Sequence, residues 1–321
     1  MRILITVLIV QFLYCNGIHR GCMVDGNSRS YDSRPELTET YLSPSGHFMI
    51  HYNAPNSNDA PIQEDINPIN GIPDYVEQVG AIADSTRQIL TEVMSFRPEI
   101  NDSDGKYDIY IVDLGSSFNA AYGWNYLDNN DDIEGTSWVE IDNDYSENLY
   151  YTNGLKAMRV TVAHEFFHAI QRAYHEKSSG TYIEGGGNSV NYGYFYEFTS
   201  MWIEDVIVPE GNDYLHFLSS SGDSRRFFSN PEQKFSDTDG YSVALFGHYL
   251  SSIVEGISDE TLNTIIREVW EKFSDDLMDP INAFDSVLDD YDSNFIQSWI
   301  DFCSRNFHNG QFPDINNDIY Y

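Results

Sequence analysis

The sequence of 321 residues predicts an α+β fold, because strand patterns fill its first half and helical patterns its second. Segments 47–53, 107–114 and 137–144 are short apolar or alternating runs, which is typical of strands. From Gly154 onward, apolar residues recur at helical spacing. Strands followed by helices indicate an α+β fold rather than repeated βαβ units.

The first half of the chain is expected to build a mixed sheet. The Asp/Asn-rich stretch "YLDNNDDIEG" is predicted to be the loop between strands 107–114 and 137–144. In strand 137–144, successive side chains alternate between the two faces of the sheet. After the first strand, the turn-rich stretch "DINPINGIPD" leads into a helix. Val139 and Ile141 face one side of the sheet, Trp138 and Glu140 face the other, and the helix carries Val76, Val79, Ile82 and Ile89.

The second half is expected to be mainly helical. The Gly/Ser-rich stretch 177–189 is predicted to be a flexible loop after the first long helix. A lobe of about 47–176, with the sheet and that helix, would then join a helical lobe of about 177–321 in a single domain, 47–321. The predicted helices are 154–176, 194–207, 243–255, 259–273, 279–290 and 293–305.

The N-terminus has the pattern of an export signal. One Arg is followed by an apolar run from Ile3 to Cys15, shorter than the roughly 20 residues of a spanning helix. We expect residues 1–17 to be a signal peptide and 18–46 an irregular segment. No later segment is apolar enough to span a bilayer, so the protein is predicted to be secreted.

The charge balance excludes some partners. With 51 acidic and 17 basic residues, the formal charge is -34. A nucleic-acid binder needs clustered Lys and Arg to neutralise phosphates, and this chain lacks such clusters, so we expect no nucleic-acid partner. Anionic membrane surfaces would repel the chain for the same reason. The acidity fits a solubility coat, with Ca²⁺ binding as the alternative. Calcium candidates are Asp65, Asn67, Asn70 and Asp74, and the loop 101–108, although helix capping and turns are the favoured interpretation of both.

Two cysteines remain after signal removal, Cys22 and Cys303. In an oxidising compartment the expectation is a disulfide between them. Two free thiols are one alternative. The other is that the Cys22 thiolate covers a metal in a latent form.

The strongest motif is "TVAHEFFHAIQRAYHE", residues 161–176. On a helix, His164 and His168 stand on one face about one turn apart, so both imidazoles can bind one ion. Glu165 is then placed as the general base that takes a proton from the attacking water. These residues are expected to face a cleft, opposite an apolar stripe formed by Leu155, Met158, Val162, Phe166, Ala169 and Ala173.

Zinc needs a third protein ligand. Gln171 and Tyr174 occupy the places where metzincins carry Gly and a third His, so that class is excluded. Glu197 and Glu204 stand on one face of the next helix, two turns or roughly 10 Å apart, so only one of them can bind. Glu184 is a further candidate on the glycine-rich loop. Spacing leaves Glu197 and Glu204 both open.

The segments "AHEFFHAIQ", "YEFTSMWIEDVIVPEGNDYLHFL" and "GYSVALFGHYL" resemble the gluzincin group of zinc metalloproteases. They resemble more narrowly the little-characterised secreted bacterial metalloproteases with a "HEFFHA…E-(x6)-ED" pattern. The likeness also takes in "HFMIHY", "NGIPDYV", "YDIYIVDLG" and "FCSRNFHNG", although only 163–205 is specific. It implies a zincin-like fold, one catalytic Zn²⁺ and Glu197 as third ligand, with Glu204 and Asp205 in support. It also implies Tyr241, or else His248, as the oxyanion stabiliser.

We therefore expect a secreted zinc endopeptidase that acts on proteins or peptides. His164, His168 and Glu197 would hold zinc, and Glu165 would serve as base and then acid. Strand 137–144 is a candidate edge for pairing with an extended substrate, with Glu140 and Asp142 as an acidic rim that disfavours acidic substrates. The alternatives are a zinc aminopeptidase and a secreted calcium-dependent binding or adhesion protein on a degenerate protease fold. The sequence does not indicate an oligomeric state.

Overall fold

The computed structural model describes residues 23–24, 33–57, 59–115, 121–128, 135–175, 181–183, 189–218 and 226–308. The predicted signal peptide 1–17, Cys22 and Glu184 lie outside these residues. Cys303 is half-buried and forms no disulfide with any described residue. Among the helices that are described, none is both long and apolar enough to cross a membrane.

A mixed sheet forms the first half of the chain. Five strands lie in the order β5-β6-β4-β3-β2, and the two-residue strand β1 joins the outer edge of β5. The neighbours β3, β4 and β6 are parallel, β2 is antiparallel to β3, and β5 is antiparallel to β6 but parallel to β1. The bounds are β1 (Met23–Val24), β2 (Glu39–Leu42), β3 (Phe48–Tyr52), β4 (Tyr107–Val112), β5 (Gly123–Leu127) and β6 (Ser137–Asp142).

Seven α-helices lie among the remaining described residues. Together with the sheet they confirm the predicted α+β class. A hairpin of β7 (Thr181–Ile183) and β8 (Ser189–Asn191) lies between the second and third helices. The helices are α1 (Asp74–Gln88), α2 (Gly154–Tyr174), α3 (Gly193–Ile207), α4 (Ala244–Tyr249), α5 (Ile265–Asp275), α6 (Pro280–Leu288) and α7 (Phe295–His308).

Several predicted boundaries were wrong. Strand β2 lies within the segment 18–46 that was expected to be irregular, and β7 lies within the predicted Gly/Ser loop. Strand β5 includes the first two residues of the predicted loop "YLDNNDDIEG". Its Gly and Asn disfavour strands locally, so its place beside β6 decides its conformation. The predicted helix 259–273 is divided into a short 3₁₀ turn and α5, and the predicted helix 243–255 continues from α4 as a π-helical turn.

Helix α2 lies in the centre of the described structure, packed against the sheet, α1, α3 and α5. Phe166 shows how it docks, since its ring meets the rings of Phe48 and Tyr107 edge-on at centroid distances of 5.0 and 5.4 Å. Leu155, expected in the buried stripe, is 50% exposed because it lies at the free end of the helix. The opposite face is also covered, so His164 and His168 are buried.

Strand β6 does not form an edge, contrary to expectation. It pairs with β4 on one side and with β5 on the other. Its faces alternate as predicted, yet both are covered. Glu140 and Asp142 are 4% and 1% exposed, so no acidic rim exists there. The Asp142 carboxylate instead accepts hydrogen bonds from the backbone amides of Leu114 and Gly115.

The acidic loops bind their own chain. Asp65 accepts backbone hydrogen bonds from Asn70 and Gly71, and Asp74 accepts them from Ile66 and Asn67. These bonds hold the turn before α1, as expected of a turn, but they do not cap the helix, whose N-cap residue is Pro73 without a side-chain bond. In the loop 101–108, Asp102 and Asp108 form ion pairs with Arg34. Neither loop belongs to a cluster that could hold a metal ion among the described residues.

Replacing Phe166 with Ala is expected to lower the free energy of unfolding by about 3–5 kcal/mol, because the substitution leaves a cavity between α2 and the sheet. The exposed Leu155 on the same helix provides a matched control. Leu155→Ala is expected to change the free energy of unfolding by less than about 1 kcal/mol. Urea unfolding measures both. Similar losses in the two variants would contradict this packing arrangement.

Candidate metal centre

Helices α2 and α3 bring three potential metal ligands together. The Nε2 atom of His164 lies 3.3 Å from Oε2 of Glu197, and Nε2 of His168 lies 3.7 Å from the same oxygen. The two imidazole rings are 4.9 Å apart, at an angle of 78°. Among the described residues, this is the only group of three or more such side chains close enough to hold one ion.

The distances fit a zinc ion. Tetrahedral zinc with ligand bonds of about 2.0–2.1 Å has ligand atoms roughly 3.3–3.4 Å apart. The two nitrogen–oxygen distances are 3.3 and 3.7 Å. The buried Nε2 atom of His168 has no hydrogen-bond partner among the described residues. A buried polar atom without a partner is costly, and a metal bond would remove that cost.

Glu204 contacts His164 at the ring nitrogen that faces away from Glu197. Its Oε2 atom lies 2.7 Å from Nδ1 of His164, on the ring edge away from Glu197. The carboxylate can therefore accept a hydrogen bond from Nδ1–H and leave the Nε2 lone pair for a metal, an arrangement common around metal-binding histidines. The geometry separates the two candidates that sequence spacing left open. Glu197 faces both imidazoles and Glu204 orients one of them.

Gln171 performs the same task for His168. Its side-chain nitrogen lies 3.0 Å from three acceptors on α3, the carbonyl of Tyr196 and the hydroxyls of Thr199 and Ser200. The amide oxygen therefore faces Nδ1 of His168, at 2.7 Å. Since an amide oxygen only accepts, this Nδ1 carries the proton and Nε2 is left free to bind.

The side chain of Glu165, on α2, faces strand β5. The Glu165 side chain packs so closely on Gly123 that a Cβ atom there would lie 2.8 Å from Cγ of Glu165. A hydrogen bond also fixes β5 on α2, because Nδ2 of Asn125 donates to the backbone carbonyl of Glu165 at 3.1 Å. The buried guanidinium of Arg172 donates to the side-chain and backbone oxygens of Asn125. Strand β5 is thereby held against the carboxylate of Glu165.

Tyr241 covers the centre from a third direction. Its ring is nearly parallel to that of His164, with centroids 6.1 Å apart, and Phe217 stacks on it at 5.2 Å. The turn before Tyr241 requires Gly240, whose φ is +82° and where a Cβ atom would collide with the carbonyl oxygen of Tyr194. His248, the other oxyanion candidate, pairs with Asp205 and Glu260.

The electrostatics favour a cation at the centre. Burial lowers the pKa of His164 to about 4, so its imidazole is neutral at pH 7. Burial opposes the charge of Glu197, yet the imidazoles of His168 and His164 hold its pKa at about 2. Burial and the carboxylates of Asp213 and Asp205 raise the pKa of Glu204 well above its ordinary value. A bound cation would compensate these buried carboxylates, and its uptake would release protons.

Sequence reasoning named Glu204 as a supporting residue through the resemblance, but it missed the other residues that support the ligands. Gln171 carried a usable signal, since a residue three positions after His168 lies on the same helix face. Gly240 follows an Asp, which is a turn signal without any indication of what the turn approaches. Asn125 and Arg172 had no signal, because they meet only when β5 docks on α2.

Comparison with models of known protein families gives no match, and comparison with curated proteins gives no significant match either.

Replacing Glu204 with Gln is expected to weaken zinc binding by about 10- to 100-fold, the usual effect of losing a partner behind a ligand. At saturating zinc the variant should still hold one ion, because the three ligands remain. Competition with a chromophoric chelator measures this. Complete loss of zinc binding in Glu204→Gln would instead make Glu204 a ligand.

His248 is expected to make stability depend on alkaline pH. Burial opposes its charge, but Asp205 and Glu260 raise its pKa to about 9. Because the pKa is higher in the folded than in the unfolded state, protonated His248 stabilises the folded state. This stabilisation is complete below about pH 6.5 and is lost as the pH rises through 9. The loss amounts to roughly 3 kcal/mol. Urea unfolding between pH 6 and 10 should show it, and His248→Gln should lack it. Equal slopes in both proteins would refute the assignment.

Proposed function

We propose that this protein is a secreted zinc-dependent endopeptidase with a zincin-like arrangement of two lobes. The observation that carries the proposal is the buried cluster of His164, His168 and Glu197, with the buried Glu165 directly after His164 on the same helix. Two imidazoles and one carboxylate are a donor set that suits catalytic zinc and leaves a position open. The resemblance of segment 163–205 to gluzincins supports the same conclusion.

Different residues would bind the metal and transfer the proton. His164, His168 and Glu197 would hold zinc, which when bound supplies Lewis-acid activation of water and of a substrate carbonyl. The Glu165 carboxylate takes a proton from the attacking water and passes it to the nitrogen of the leaving amine. Strand β5 keeps Glu165 in place. Gly123 packs on the Cγ atom of Glu165, and Asn125 donates a hydrogen bond to its backbone oxygen.

Tyr241 is the proposed stabiliser of the oxyanion. Its ring lies over His164, and its hydroxyl belongs to a side chain that is only 9% exposed. A phenol can donate a hydrogen bond to negative charge that develops on the carbonyl oxygen, and such donors are most effective where water is excluded. Phe217 and Gly240 fix the ring in this position.

Replacing Glu165 with Gln is expected to reduce peptide cleavage by at least about 100-fold, because the amide cannot accept the proton. Zinc content should stay at one ion per chain, since Glu165 is not a ligand. Glu92→Gln, on the exposed end of α1 and its π-helical turn, is the matched control and should cleave at the wild-type rate. A fluorogenic peptide library and metal analysis provide the readouts. Undiminished cleavage by a zinc-loaded Glu165→Gln protein would exclude the proposed role.

A further inference from the structure

The loop before α1 exposes three isoleucines to water. Ile62, Ile66 and Ile69 are 46, 61 and 81% exposed, and Ile69 is the most exposed large apolar side chain in the described part of the chain. Single exposed apolar side chains are common, whereas several close together mark a surface that binds a partner. We call residues 61–73 the isoleucine loop.

The isoleucine loop is held in one conformation by its own hydrogen bonds. The carboxylate of Asp65 accepts from the amides of Asn70 and Gly71, at 3.1 and 2.8 Å. The amide of Asp74 donates to the carbonyl of Glu64 at 2.8 Å, which closes the loop at its base. A loop that is ordered before binding loses less conformational entropy when a partner docks. The three isoleucines are therefore preorganised for a contact.

The isoleucine loop is attached to the sheet near the proposed general base. The amide of Ile62 donates to the carbonyl of Asn143 at 3.3 Å, and Asn143 directly follows β6. In β6, Ile141 lies opposite Gly123, the residue that packs on Glu165. Two residues of an extended chain span roughly 7 Å. A peptide bound at Glu165 therefore needs only a few further residues to reach the loop.

The charged residues in and beside the loop are all acidic. Glu64, Asp65, Asp74 and Glu77 accompany the isoleucines, and residues 61–80 include neither Lys nor Arg. Glu64 is exposed. An anionic membrane surface would be repelled by this loop. A segment that carries apolar side chains beside Lys or Arg instead complements both the apolar surface and its charge.

We propose that the isoleucine loop is a second contact site for the substrate, which binds a segment of apolar and basic residues a few positions from the bond that is cleaved. This inference rests on the proposed peptidase function. Ile66 and Ile69 pack on apolar side chains of the segment, and the carboxylates attract its Lys or Arg. Contacts remote from the reacting atoms strengthen binding without favouring the transition state, so they lower KM and leave kcat unchanged.

The test combines Ile66→Ser with Ile69→Ser in the full-length protein. The matched control combines Ile296→Ser with Ile300→Ser on α7, where the two isoleucines are 64 and 59% exposed. Neither pair of substitutions changes the net charge, and both replace exposed side chains, so stability should be unaffected. The substrates are a short neutral fluorogenic peptide, the same peptide extended on either side by alternating Leu and Lys, and a version with Glu in place of Lys.

For the wild type we expect the Leu/Lys extension, on one side of the peptide, to lower KM by about tenfold, as a few well-placed apolar anchors do. The Leu/Glu extension should not lower it. The Ile66/Ile69 variant should lose the preference while kcat and hydrolysis of the short peptide remain at the wild-type level, and the Ile296/Ile300 variant should keep the preference. Equal KM values for the short and both Leu/Lys-extended peptides, or an unaltered preference in the Ile66/Ile69 variant, would overturn the inference.

Binding of a labelled Leu/Lys segment alone, followed by fluorescence anisotropy, separates this inference from the proposed function. If no peptide is hydrolysed but the segment binds the wild type and not the Ile66/Ile69 variant, the contact site is supported and the peptidase function is refuted. Hydrolysis of the short peptide without binding of the segment would support the peptidase function and refute the contact site. Loss of binding to phosphatidylcholine vesicles in the Ile66/Ile69 variant would show that the isoleucines insert into lipid, and would also overturn the inference.

Discussion

The structure depends on the buried polar contact between α2 and α3. His164, His168, Glu197 and Glu204 are each at most 7% exposed, and groups of this kind destabilise a fold unless they satisfy one another. Here every imidazole has one nitrogen directed to a fixed acceptor and the other to Glu197. A divalent cation would compensate the Glu197 carboxylate, whose pKa is low, and would favour ionisation of Glu204, whose pKa is raised. Stability and the proposed chemistry therefore rest on the same few atoms.

The surroundings of this contact explain why particular small or polar residues are needed nearby. Gly123 and Gly240 let β5 and the turn before Tyr241 approach α2 and α3 more closely than any side chain would allow. Arg172 and Asn125 then tie β5 to α2. These positions serve the geometry of the centre rather than the folding of their own segments. A substitution at any of them would move Glu165 or Tyr241 without removing either side chain.

The sequence predicted the α+β class and most helices because their periodicity is local and strong, as in α2 and α3. It failed for β2 and β5, whose conformation comes from pairing with neighbours distant in the chain. The same division holds for the centre. The pair His164 and His168 follows from helical spacing alone, whereas Glu197 could not be separated from Glu204 until the two helices were placed side by side. The wrong assignment of β6 as an edge arose because strand order is a property of the whole sheet.

The most direct test of this account is a crystal structure of the zinc-loaded protein with anomalous diffraction recorded at the zinc edge. The account predicts one strong anomalous peak between His164 Nε2, His168 Nε2 and a Glu197 oxygen, at about 2.0–2.2 Å from each. Glu204 should remain hydrogen-bonded to Nδ1 of His164, outside bonding distance of the metal. An anomalous peak elsewhere, or none between the two helices, would contradict the central claim that this cluster is a zinc site.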